Sequence, residues 1–242
     1  MFFFLLFVSY LCLKMIGVCV IWWKVAKFVE KVFKREGDGK EEDSSHGYQH
    51  AKDVFWLSLW IYFMDSIRFN VMFNWTILRL VGVVSLCHDV DDKKIKGFEE
   101  RKKKLEKFLI DEFGLEWKLI KDIIDRISHS KERNSDLSRK TDLDWLSVLG
   151  LHGVIVRNCV SDADKIESLG KTGHERSKEF NRKSLKDGEG EKELFQLVEW
   201  IMNDKLRTLD EWMWTSYGKE LGKRKRIEIC LVHEKWRKEL FL

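Results

Sequence analysis

The apolar residues of this chain fall in blocks separated by charged segments, and the first block constrains the fold most. It reads MFFFLLFVSYLCLKMIGVCVIWWKVAKF, and from Phe2 to Trp23 its one charge is Lys14. At 1.5 Å per residue this run is long enough to cross the hydrocarbon core of a bilayer. Its Phe, Leu, Ile and Val residues contribute about −4 to −8 kcal/mol to insertion, against about 2.5 to 3.5 kcal/mol for a central lysine. Insertion is favoured. A cleaved secretion signal fits less well, because no positive residue precedes the run and no small-x-small site follows it. Lys24, Lys27, Lys31, Lys34 and Arg35 come next. By the positive-inside rule they place the N-terminus outside and the body on the cytosolic side of a single-pass protein, with Trp22 and Trp23 as an interfacial belt. A buried core helix is the alternative.

A second block, Val54 to Cys87, is interrupted by Asp65, Arg68 and Arg79. Arg79, with Asn70 and Asn74, cancels most of the gain from inserting 69–86, so a core or membrane-surface helix is expected there and a second span is the alternative. The sequon Asn74-Trp75-Thr76 matters only in a secretory lumen, where this topology does not put it.

Between and after the blocks the chain is charged. Residues 35–53 read as a linker. Leu105, Phe108, Leu109, Phe113, Trp117, Ile120, Ile123, Ile124 and Ile127 recur every three or four positions, which predicts an amphipathic helix over 105–127, loosened at Gly114. Residues 161–190 carry few apolar side chains and read as flexible. A second amphipathic helix is predicted over 191–214 from Leu194, Val198, Ile201, Leu209, Trp212 and Met213. Short strands are expected at Val154–Val156 and, in competition with a terminal helix, at 227–231. The expected fold is mainly α: a transmembrane helix at 1–27, a charged linker at 28–53, a helical region at 54–130, a polar segment at 131–190 and a helical C-terminal region at 191–242.

Composition is skewed. There is no proline, alanine occurs only at 26, 51 and 163, and glutamine only at 49 and 196, while tryptophan reaches 11. The scarce residues need cytosine in their codons, so a cytosine-poor coding strand accounts for the pattern, as in an organelle gene or an orphan open reading frame without a settled fold. Five widely spaced cysteines form no C-x-x-C pair and read as unpaired thiols. Net charge is +4, a weak argument for nucleic acid.

Motifs with chemistry are sparse. Gly170-Lys171-Thr172 ends like a phosphate-binding loop, but Lys165 stands where the first glycine belongs. His88-Asp89, with Asp91 and Asp92, is an adjacent His-Asp pair of the kind helical phosphohydrolases use to hold metal. Further ligands would have to come from His46, His50, His129 or His152, none at diagnostic spacing, so a solvated acidic helix end is the expectation. The same acids fail as a calcium loop, with Lys94 at the glycine position. Two basic runs, Arg101-Lys102-Lys103-Lys104 and Lys223-Arg224-Lys225-Arg226, are the candidate contacts for an anionic partner. Glu99, Glu100, Glu106, Glu228 and Glu234 dilute them.

Together these features predict a membrane-anchored interaction protein or small subunit of a membrane complex. Its partners are the bilayer and a protein bound through the two amphipathic helices. It has no catalytic residue, metal or cofactor. A membrane-associated RNA- or ribosome-binding protein is the alternative.

Overall fold

A computed structural model describes residues 2–34, 47–71, 73–90, 97–133 and 139–242. They form nine α-helices: α1 (Phe2–Phe33), α2 (Tyr48–Arg68), α3 (Trp75–Cys87), α4 (Phe98–Phe113), α5 (Trp117–Ile124), α6 (Asp142–Glu167), α7 (Gly170–Arg182), α8 (Glu191–Asp204) and α9 (Ser216–Phe241). Short 3-10 turns join α4 to α5 and follow α5 and α8. Among the described residues the one β feature is an isolated bridge between Arg133 and Arg139.

The chain divides into two compact units, 1–160 and 161–242, so the division falls within α6 rather than at an expected boundary. Most of the expected linker, 35–46, lies outside the described residues.

In the first unit α3 is the central element, with almost every side chain from Ile77 to Cys87 buried. Such all-round apolarity suits a helix enclosed by others. α1 packs on it through Val18, Val25, Val29 and Phe33, a seam of seven- and four-residue steps. Trp22 belongs to that seam. Its indole N–H donates to the Arg79 carbonyl at 3.2 Å and its ring meets Phe55 edge-on. The approach requires Gly82, since a Cβ there would lie 2.1 Å from Trp22 Nε1. Half of the expected interfacial belt is thus a packing residue. Phe28 stacks on Phe108, and Lys24 pairs with Glu112 at 2.8 Å, tying α1 to α4.

The second apolar block is two helices. α2 ends at Arg68, and Asn74 caps α3 by accepting from the Thr76 and Ile77 amides at 2.9 and 3.2 Å. α3 has 13 residues, roughly 20 Å of helix, too short for a span of about 30 Å. The 69–86 alternative therefore fails. Among the described residues one helix, α6, is long and apolar enough to cross a membrane, but half of its apolar window is buried inside the protein. Gly150, at φ 63, also breaks it.

The predicted amphipathic helix over 105–127 is present as α4 and α5, parted at Gly114 (φ 53). Its apolar face, including Leu105, Leu109, Ile120 and Ile123, is buried. In the second unit Leu194, Val198, Met202, Leu209 and Met213 are likewise buried. The faces expected to bind partners thus pack within their own units. Both expected strands are helical instead, within α6 and α9, and 161–190 contains the end of α6 and all of α7. No proline interrupts either stretch, and burial of Val154 and Val156 in α6 outweighs their β-propensity.

Candidate metal centre

His50 lies in the first turn of α2, and His88 and Asp89 follow the last turn of α3. Packing of α2 on α3 brings these two helix ends together across 38 positions of sequence. His50 and His88 are buried. The three candidate ligand atoms all lie within 4.8 Å of one another. His50 Nε2 is 3.4 Å from Asp89 Oδ2, and His88 Nε2 is 3.5 Å from Asp89 Oδ1. The imidazole rings meet edge-on at 5.2 Å between centroids.

The tautomer of His88 follows from its surroundings. Its Nδ1 lies 2.7 Å from the Ser85 carbonyl, which can only accept, so Nδ1 carries the proton and donates. Nε2 then presents its lone pair on the side of Asp89. A second hydrogen bond of this kind orients histidine ligands in metal sites. Bonds of about 2.0 to 2.2 Å hold two donors no more than about 4.4 Å apart. Atoms at the 4.8 Å limit must therefore close by at least about 0.4 Å to share one ion, and by more than about 1 Å in a tetrahedral site. Two imidazoles and a carboxylate suit a first-row transition ion better than Mg²⁺ or Ca²⁺. Three protein ligands leave positions for water or substrate.

This corrects the reading of His88-Asp89 as a solvated acidic helix end: His88 is buried, and its partner is the distant His50. His46, Asp91, Asp92 and the side chain of His129 lie outside the described residues, and His152 is exposed on α6.

The basic runs are dispersed. Arg101 is buried with its guanidinium 6.0 Å from the Phe33 ring, and Lys102 lies over Phe98. Lys103 is exposed, and Lys104 pairs with Glu100 at 2.7 Å. On α9, Lys223 is exposed, Arg224 pairs with Glu220, Lys225 with Glu228 at 2.7 Å, and Arg226 with Asp210 at 3.1 Å. Gly170-Lys171-Thr172 opens α7, and the Lys171 amide donates to Glu228 Oε1 at 3.0 Å. A carboxylate of the chain itself thus occupies the place of an anion. Lys225 first, and then this amide, hold the Glu228 carboxyl below its usual range.

No protein-family model matches the sequence, and no curated protein matches it. Solved structures do. Bacillus subtilis YpgQ superposes with a TM-score of 0.63 at 18% identity, over 93% of this chain and 97% of that one. YpgQ in complex with ADP gives 0.61 at 18%, over 91% and 98%. A Lactobacillus plantarum protein gives 0.63 at 17%, over 91% and 97%. At these identities the likeness establishes the fold. The expectation of a non-enzymatic chain does not stand. It rested on the lack of a trusted motif, and the convergence of His50, His88 and Asp89, the first two buried, in a fold shared with a YpgQ structure in complex with ADP, counts against it.

Proposed function

We propose that this chain is a metal-dependent hydrolase acting on the phosphates of a nucleotide, with its reaction centre at His50, His88 and Asp89. The observation that carries the reading is the convergence of the three ligand atoms within 4.8 Å, with the His88 tautomer already set by Ser85. The nucleotide is carried over from the ADP complex of YpgQ. When bound, a divalent ion supplies a Lewis acid that polarises a phosphoryl oxygen and makes a nucleophile of water near neutral pH. The protein's own part is positional. His50 is fixed by burial on the inner face of α2, His88 is fixed by its bond to Ser85, and Asp89 brings negative charge between the two rings.

The test is phosphate release from nucleoside di- and triphosphates by the purified chain loaded with Mn²⁺, alongside its bound-metal content. H50A, H88A and D89N each lower both, with turnover falling by about 100-fold or more. A wild-type chain that retains no transition metal and releases no phosphate sinks the reading.

The chain is further proposed to be held at a membrane by the start of α1, Phe2–Gly17, which enters the bilayer, while Val18, Trp22 and Val25, packed on α3, stay outside it. The supporting observation is that residues 12–17 are exposed on every side of α1 although apolar apart from Lys14. Carbonate-resistant flotation of the full chain with liposomes tests it, and a chain that stays soluble beside them would refute it.

A further inference from the structure

α2 has two apolar faces. The inner one, Val54, Ser58, Ile61 and Tyr62, is buried in the first unit. The outer one is Trp56, Trp60, Phe63 and Ile67, in steps of four, three and four residues that keep them on one side of the helix. Their exposures are 67, 49, 43 and 60%, and Phe69 and Val71 continue the surface at the turn with 58 and 62%. A contiguous apolar surface of this kind on a folded unit marks an interaction site.

What covers it follows from its neighbour. Glu30 acts electrostatically on Tyr48, and Trp22 meets Phe55 edge-on at 5.2 Å, so α2 runs antiparallel beside α1. Counting from that contact, Trp60 is level with the start of the α1 stretch at 12–17, which is exposed all round. A protein partner covers one face of a helix; a helix that is apolar and uncovered on all faces suits lipid, which surrounds it. Trp-rich stripes beside such a helix are the composition of the membrane interface.

We propose that the outer face of α2, Trp56–Trp60–Phe63–Ile67, is a second membrane contact, entering the leaflet alongside the start of α1. Its choice of occupant rests on the membrane reading of α1 and is independent of the metal chemistry. The contact fixes how the first unit lies on the bilayer. It also places His50 about 9 Å along α2 from the first residue of the stripe.

The experiment uses the full chain and its W56F/W60F variant, which keeps the apolar face. Both are reconstituted in phosphatidylcholine–phosphatidylglycerol vesicles with plain or brominated acyl chains, bromine being a contact quencher of tryptophan. The emission difference between wild type and variant isolates the two tryptophans. That difference loses more than roughly half its intensity in brominated vesicles if the stripe lies in lipid. An unchanged difference overturns the proposal and leaves water or a second copy of the chain against α2. Failure of the α1 anchor shows separately: carbonate then strips both proteins from the vesicles, whatever the quenching.

Discussion

Arg157 and Glu132 are both wholly buried and form an ion pair in the first unit. The arginine is further held by the Arg126 carbonyl (3.1 Å from Nε), by Asn158 Oδ1 (3.0 Å from Nη1) and by the face of Trp145 at 4.6 Å. A pair so enclosed adds little net stability over an apolar pair of the same volume, but removing one partner strands the other's charge. R157M is therefore expected to destabilise the protein by about 3 to 5 kcal/mol, and R157M/E132L by clearly less. Urea titrations of the two variants and the wild type decide this, and equal losses would mean that Glu132 reaches water. His88 illustrates the same logic for function. Its one bond to Ser85 sets its tautomer, and no sequence pattern announces that bond.

The starts of α3 and α9 are set by single side chains, Asn74 and Thr215, and Asn74 is the clearer. Its carboxamide accepts from two amides of α3, while its own N–H donates to the Tyr62 hydroxyl at 2.9 Å, so one residue opens α3 and ties it to α2. N74A is expected to cost about 1 kcal/mol, with N74D near neutral, read from thermal unfolding. A loss no larger for alanine than for aspartate would mean that the cap is not made. At this scale much was legible. Three- and four-residue periodicity located α4, α5 and α8, and Gly114 was a visible break. The misreadings have physical causes. Val154-Ile155-Val156 looks like a strand locally, but it lies in a helix whose neighbours bury it. Residues 170–182 look too polar to fold, yet α7 is held by Gly173 against Ser168 and by the burial of His174 and Asn181. The site was half legible. The His88-Asp89 pair stands out in the sequence, but His50 becomes its partner only through the packing of α2 on α3.

At the scale of the whole molecule, three buried groups of the second unit, His174, His233 and Asp162, couple folding to acid. His174 Nε2 lies 3.1 Å from His233 Nδ1, and His233 Nε2 bonds the Glu199 carboxylate. The carboxylate accepts from His233, which leaves His233 Nδ1 to accept from His174, so both rings are neutral in this arrangement. Burial first, then the neighbouring His233, brings His174 from 6.5 to about 4, against the opposing pull of Glu175. Burial also lowers His233, against the pull of Glu199. Between pH 6.5 and about 4 the unfolded chain binds a proton at His174 that the native chain refuses, so stability is full above this window and falls through it as pH drops. Two and a half pH units at about 1.36 kcal/mol each make this loss at most about 3 kcal/mol. Asp162 works in the opposite sense. Burial raises its carboxyl although Trp214 and Thr215 amides donate to it, so the native chain takes up that proton first as the pH falls, which stabilises it in acid. Two histidines against one carboxyl leave a net loss. The urea midpoint is therefore expected to fall between pH 6.5 and 4.5, and H174Q, which can still donate to His233, should flatten the decline. Histidine proton resonances provide the direct check. A His174 that titrates near 6.5 in the native protein would show the ring to be solvated and remove the cause assigned here.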